Sequence, residues 1–120
     1  MTAVIGVGLD LVDVNRFART LERRPSLTQR LFTEREQSAK HPERLAARFA
    51  AKEAVLKALG SGLGSMAFRD IEVVSLPTGA PSLVLHGRAA EIATSRGVRN
   101  WQISLSHTDA TAGAVVIAQS

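Results

Sequence analysis

Cysteine is absent from the chain, which excludes disulfides, zinc–thiolate sites and thiol catalysis, and fits a reducing compartment. Aromatic residues make up only 4% of the total, one Trp and four Phe, so there is little material for a base-stacking surface. No apolar run approaches the ~18 to 20 residues that a membrane span requires, and Asp10 and Asp13 interrupt the one N-terminal candidate. That stretch, 2–12, has no basic segment before it. It reads as a strand rather than a signal peptide, and the chain is expected to stay in the cytosol. Lysine is confined to positions 40, 52 and 57, yet Lys and Arg together number 15 against 11 acidic residues. The resulting formal charge of +4 predicts an acidic partner, whether a phosphate ligand, a nucleic acid or an acidic protein. What is present is globular material: 120 residues, 45% hydrophobic and 22% charged, are enough for one domain over 1–120 with a single core.

Punctuation along the chain is clear. Residues 4–11 are rich in β-branched side chains and predict an opening strand that ends at Asp10 or soon after, with Asp10 at its carboxyl end. Val14, Phe17 and Leu21 then follow the i, i+3, i+7 spacing of a helix capped by Asp13 and closed by Pro25. Arg16, Arg19 and Arg23 repeat that spacing on another face. A short helical turn is expected over 27–31, and Thr33 with Glu36 makes a capping box for a further short helix. Pro42 suits the first turn of a long helix that runs over 43–59 and stops at Gly60. After the glycine-rich loop 60–64, a hairpin is expected from strands near 70–74 and 82–86, then a helix over 88–95 ended by Gly97, and a closing strand pair at 101–107 and 111–118.

On the long helix, Leu45, Phe49, Leu56 and Leu59 form an apolar stripe, with Lys52 near its middle and Glu53 and Lys57 together at its edge. A charged amine in that position must snorkel, find a partner or face a ligand. Glu53 and Lys57 alone describe an i, i+4 surface pair worth ~0.2 to 0.5 kcal/mol. Asp10 and Glu53 are the best hard-oxygen ligands on apolar elements, and two carboxylates with ligand phosphates are what Mg²⁺ requires; a capping Asp and a solvated Glu is the plainer alternative. The loop 60–64 lacks the Gly-Lys-Ser/Thr of a P-loop, yet its backbone amides can admit a phosphate as readily as they can merely end a helix. Strand parity places Trp101, Ile103, Leu105 and His107 on one face, so His107 ends an apolar row beside Thr108 as a structural residue, a phosphate donor or a proton carrier. No serine or histidine sits in a nucleophile elbow or triad.

The strings IGVGLDLVDVNR (5–16), FTERE (32–36), RFAAKEAVLKALG (48–60), GSGLG (60–64) and SLSHT (104–108) occur in an order that closely resembles the short bacterial family of 4′-phosphopantetheinyl transferases, the holo-acyl-carrier-protein synthases. The resemblance spans nearly the whole chain. It implies an α+β fold, one long helix packed on an antiparallel sheet, assembled as a homotrimer with active sites between subunits. It also implies an enzyme of fatty-acid and lipid metabolism that uses Mg²⁺ to transfer the 4′-phosphopantetheine arm of coenzyme A to a serine of apo-acyl carrier protein, releasing adenosine 3′,5′-bisphosphate. Asp10 and Glu53 would hold the metal. Lys57, Arg48, the backbone of Gly60, Gly62 and Gly64, His107 and Thr108 would hold coenzyme A. Lys57 would also stabilise developing charge, and Glu53, a metal-held water or His107 would take the serine proton. Arg16, Arg19 and Arg23 would face the acidic carrier protein. The small residues Ala112, Gly113, Ala114 and Ala118 suit either close approach between subunits or tight internal packing. Two rivals remain at this stage: a small basic nucleic-acid-binding module, disfavoured by the scarce aromatics, and a noncatalytic trimeric scaffold, disfavoured by intact Asp10, Glu53 and Lys57.

Overall fold

The computed structural model describes residues 2–62 and 64–120, so Leu63 of the glycine-rich loop lies outside the described residues. Strand β1 (Val4–Asp13) runs directly into helix α1 (Val14–Arg23), followed by the short helices α2 (Ser26–Leu31) and α3 (Glu34–Gln37) and the long helix α4 (Pro42–Ala58). A 3-10 turn at Phe68–Asp70 leads into strands β2 (Ile71–Ser75) and β3 (Pro81–Leu85). Helix α5 (Gly87–Ser95) then precedes β4 (Asn100–His107) and β5 (Thr111–Gln119). The strands form an antiparallel sheet in the order β1-β5-β4 and a separate β2–β3 hairpin. The fold is thus α+β with a long helix on an antiparallel sheet, its strands divided between two sheets.

Local signals explain most boundaries. Asp13 caps α1 by accepting from the Arg16 amide at 2.8 Å. Thr33 and Glu36 close the expected reciprocal box, the Thr33 amide donating to Glu36 Oε1 at 3.0 Å and the Glu36 amide to Thr33 Oγ1 at 3.3 Å. Gly60, at φ +64°, ends α4 because its left-handed backbone turns the Gly60 and Ser61 amides back onto the Lys57 and Leu56 carbonyls. One boundary differs from expectation. β1 continues past Asp10 to Asp13, so Asp10 sits within the ladder opposite Ala114 rather than at the strand's end. The extra residues are held by β5, a partner at the far end of the chain that local propensity does not report.

The packing of α4 also differs from its leucine stripe. Leu45 and Phe49 join a cluster with α1 residues, while Leu56 and Leu59 join another with α5 residues. The face laid on the sheet is alanine, with Ala50, Ala51 and Ala54 wholly buried. Gly6 and Gly8 permit that contact: a Cβ on Gly6 would lie 1.8 Å from the Ala58 carbonyl oxygen, and one on Gly8 1.8 Å from that of Ala54. On β5, Ala112, Ala114 and Ala118 are buried as well, so these small residues serve the interior rather than an approach between subunits. Gly113 alone of that group turns to the other face, opposite the exposed Leu11.

Lys52, in the middle of the stripe, finds partners. Its buried ammonium donates to Glu36 Oε1 at 2.8 Å, to the Phe68 carbonyl at 2.9 Å and to the Ile71 carbonyl. Glu72, 3% exposed, accepts from Thr33 Oγ1 at 2.6 Å and from Arg35 Nη2 at 2.7 Å, and meets His86 Nε2 at 3.0 Å. The Arg35 bonds foremost hold its carboxyl at about 2, well below the ordinary 4.5. A carboxylate lowered in this way stabilises the fold above its ordinary pKa and loses that contribution as pH falls through the native value. The shift corresponds to about 3 kcal/mol. Glu72→Gln is therefore expected to weaken the fold at neutral pH and to flatten the loss of stability from pH 4.5 down to about 2, as measured by urea unfolding across that window.

Candidate functional site

The close seat of α4 on β1 brings three residues together. Lys57 Nζ donates to Asp10 Oδ1 at 3.0 Å and to the Leu9 carbonyl at 2.8 Å. Its ion pair is thus with β1 and not with Glu53 one turn back, which replaces the expected surface pair. Glu53 is half-buried, and its carboxyl is pushed above the usual range by burial and then by the neighbouring Asp10, with Lys57 opposing. Two carboxylates, and one ammonium that can leave Asp10 for a phosphate oxygen, form a mixed-charge site at the helix–strand seam. A cavity of about 620 Å³ adjoins it, lined by Asp10, Glu53 and Arg16 and walled by Phe17, Leu21 and Phe49.

Sequence reading did not anticipate Gly6 and Gly8, whose alternation with Asp10 on one strand face is the signal for a close helix contact. It also did not anticipate the apolar cavity wall, which comes from α1, α2 and α4 and has no contiguous pattern.

A second cluster lies on the other flank of α4. Arg48 and Glu53 are five positions apart, which places them about 140° apart around the helix. Arg48 is 8% exposed, bonds the Arg44 carbonyl through Nη1 at 3.3 Å, and leaves its buried Nε without a partner. Burial, then the repulsion of Arg44, pushes its guanidinium below its ordinary value, with Glu36 opposing. Arg44, Arg48 and His107 line a cavity of about 210 Å³ against the β2–β3 turn. Two guanidinium groups and an imidazole around one small cavity make an anion site. Arg44 was missed, although its i, i+4 relation to Arg48 was visible.

The remaining candidates divide. Thr108 Oγ1 accepts from the Ala110 and Thr111 amides at 3.2 and 3.0 Å, so its hydroxyl is engaged in closing the β4–β5 turn. The Gly60 amide is likewise engaged, in ending α4, while the positions of Gly62 and Gly64 have open space where a side chain would be. Arg16, Arg19 and Arg23 are exposed along α1, beside the larger cavity. The phenylalanines pack on one another, Phe17 stacked on Phe49 at 4.9 Å between centroids and Phe49 tilted against Phe68 at 5.6 Å, which engages these rings with each other rather than with a base-stacking surface.

Asp10 and Glu53 suit Mg²⁺. Among the described residues no group of three or more His, Cys, Asp or Glu side chains converges, so the chain offers no complete metal cage. A pair of carboxylates beside a cavity able to take a phosphate ligand is the donor set that Mg²⁺ uses, since it keeps waters and substrate oxygens in its shell.

The family model that describes the 4′-phosphopantetheinyl transferase superfamily matches residues 6–113, and the chain belongs to that superfamily. Within it, the chain is 50% identical over 118 residues to a Frankia alni protein named holo-[acyl-carrier-protein] synthase, covering 98% of this chain and 99% of the relative. The acyl carrier protein synthase of Mycobacterium tuberculosis matches in structure with a TM-score of 0.75 at 36% identity, covering 97% of each chain. Helicobacter pylori holo-[acyl-carrier-protein] synthase in complex with coenzyme A matches with a TM-score of 0.84 at 28% identity, covering 93% of this chain and 98% of that one. Among the described residues no helix is long and apolar enough to cross a membrane.

Proposed function

We propose that this chain, acting as one transferase domain over 1–120, moves the 4′-phosphopantetheine arm of coenzyme A onto a serine hydroxyl of an apo-acyl carrier protein. The observation that carries the reading is the meeting of Asp10, Glu53 and Lys57 at the α4–β1 seam, beside a cavity walled by apolar side chains and rimmed by arginine. The serine oxygen bonds to the β-phosphorus as the bond to the leaving nucleotide breaks, releasing adenosine 3′,5′-bisphosphate. Glu53, or a water held beside it, takes the serine proton; His107, on the other flank of α4, is assigned to phosphate binding with Arg48 and Arg44. Lys57 neutralises charge that develops on the leaving phosphate. Asp10 and Glu53 would hold Mg²⁺, which would supply charge neutralisation at the phosphates. Gly62 and Gly64 offer open backbone to the nucleotide, whereas Gly60 and Thr108 act by shaping their loops. We place the reaction in the cytoplasm, a reducing setting that a cysteine-free chain fits.

Intact-mass measurement of an apo-carrier incubated with the protein, coenzyme A and Mg²⁺ tests this directly. A phosphopantetheine-sized gain is expected, and no gain across several carriers would sink the assignment.

Arg16, Arg19 and Arg23 are read as the docking surface for the acidic carrier, since they are exposed and Arg16 lines the cavity that holds Asp10. Reversing charge at Arg16 and Arg19 (both →Glu) is expected to raise KM for the carrier about tenfold, or ~1.4 kcal/mol, and to leave coenzyme A affinity unchanged. Salt should imitate the change in the wild type, because screening shortens the Debye length from ~10 Å at 0.1 M to ~3 Å at 1 M. Equal salt slopes for both proteins would remove these arginines from the docking surface.

The working unit in this reading is a homotrimer. Val7, Leu9 and Leu11 are 57, 60 and 69% exposed on the sheet face turned away from α4, a strip that a second copy would cover. The seam site and the Arg48–His107 cluster face opposite flanks of α4, so coenzyme A, a long ligand whose pyrophosphate and 3′-phosphate lie apart, can use Lys57 and the carboxylate pair of one subunit and Arg48 with His107 of the next. Light scattering is expected to give a trimer, with coenzyme A binding lost on dissociation. An active monomer would contradict this.

A further inference from the structure

The FTERE segment and Lys52 take no part in the chemistry above, yet they form a densely bonded buried group. Phe32 is wholly buried, with the Lys52 ammonium 5.5 Å from its ring centroid. Glu36, 1% exposed, accepts from the Thr33 amide and Lys52 through Oε1 and from the Val73 amide through Oε2 at 2.9 Å. Lys52 adds the Phe68 and Ile71 carbonyls. One side chain of α4 is therefore tied at once to α3, to the 3-10 turn and to β2.

On the opposite face of α4 the side-chain tie is the half-exposed one of Lys57 to Asp10 and the Leu9 carbonyl. The rest of that face presents Ala54 and Ala58 to the bare backbone of Gly8 and Gly6. Methyl groups against bare backbone allow close approach but form only shallow ridges, so they resist rotation of the helix about its axis weakly. A rotation of about 20° would carry a side-chain tip at ~5 to 6 Å from the axis through roughly 2 Å. Misplacing a reacting group by about 1 Å costs ~10²-fold in rate.

We propose that Lys52 is a positioning residue: its buried bonds to Glu36, the Phe68 carbonyl and the Ile71 carbonyl set the rotational phase of α4, and through it the direction in which Glu53 meets Asp10. The inference rests on the proposed role of Glu53. Breaking one partner would leave a buried charge and unfold the protein for reasons unrelated to positioning, so the test replaces both: Lys52→Met with Glu36→Met, an exchange that is commonly neutral or stabilising for a buried pair. The double variant is expected to fold and to bind coenzyme A with wild-type stoichiometry and affinity by calorimetry. Its KM for the carrier should stay within twofold, while kcat falls tenfold or more. A loss of folded protein would instead lower the binding stoichiometry. Wild-type kcat in the folded double variant, with Glu53→Gln inactive beside it, overturns the positioning role alone; a fully active Glu53→Gln overturns the role of Glu53 and this inference with it. Where the double variant does not fold, Lys52→Met with Glu36→Gln removes both charges and keeps the shape of the Glu36 side chain. It is then expected to show the same split at about threefold or more in kcat, and an unchanged kcat would overturn the proposal.

Discussion

Asp10→Ala and Glu53→Gln are each expected to lower carrier transfer about 10³-fold or more, the several kcal/mol that charge neutralisation at a phosphoryl centre supplies. The two variants should separate in stability, which distinguishes lost chemistry from lost fold. Glu53 is held above its ordinary range by burial and by Asp10, so its charged form opposes folding at neutral pH. The sign follows from linkage: a carboxyl with a raised native pKa contributes least once pH exceeds that value. Glu53→Gln removes this opposition and should melt no lower than wild type. Asp10→Ala leaves the Lys57 ammonium with only the Leu9 carbonyl among its present partners, and is expected to cost about 1 kcal/mol, since the pair is exposed on its Lys57 side only. Lys57→Ala should fall between wild type and these variants, near 10²-fold, because it removes one charge and no metal ligand. Steady-state transfer with saturating coenzyme A and Mg²⁺, beside thermal melts, checks all three; near wild-type turnover in either carboxylate variant would end the ligand assignment.

Gly8→Ala is expected to be more damaging than its single methyl suggests. The new Cβ would lie 1.8 Å from the Ala54 carbonyl oxygen and 2.6 Å from its carbon, and both are backbone atoms of the longest helix. No rotamer change relieves a clash with backbone, so α4 must lift from β1 or the strand must bend. Overpacking of this kind costs ~1 to 3 kcal/mol and occasionally more. Because Glu53 and Lys57 ride on α4 while Asp10 rides on β1, the same displacement opens the Lys57–Asp10 contact now at 3.0 Å. The expected result is a melting temperature several degrees lower, since ~1 kcal/mol moves a domain of this size by roughly 4 °C, together with a loss of transfer of ~10²-fold or more. Gly62→Ala is the control: nothing lies within 4 Å of its Cβ position, so neither stability nor the seam should change. A Gly8→Ala protein with wild-type melting and turnover would mean that the close helix–strand seat does not hold the site together.

Much of the fold was legible because its signals are local. The Asp13 cap, the Thr33–Glu36 box, Pro42 at the start of α4 and Gly60 at its end each act within a few residues, and each is found where the sequence puts it. Strand parity likewise oriented Trp101 through His107 correctly, because alternation needs no knowledge of the partner. The residue types that suit a metal and a phosphate, Asp10, Glu53, Lys57, Arg48 and His107, also stood out in the sequence. Tertiary structure decided how they are grouped. β5 extended β1 beyond Asp10, and Gly6 and Gly8 let α4 descend until Lys57 reached Asp10 instead of Glu53. The 3.6-residue turn placed Arg48 on the far flank beside Arg44, where β4 delivers His107. Lys52, ambiguous in sequence, became a structural tie only when α3 and β2 delivered Glu36 and the Ile71 carbonyl to it. Caps and periodicity are short-range and can be read along one segment; the partner a buried charge selects depends on which distant backbone arrives there, and that is settled only by packing.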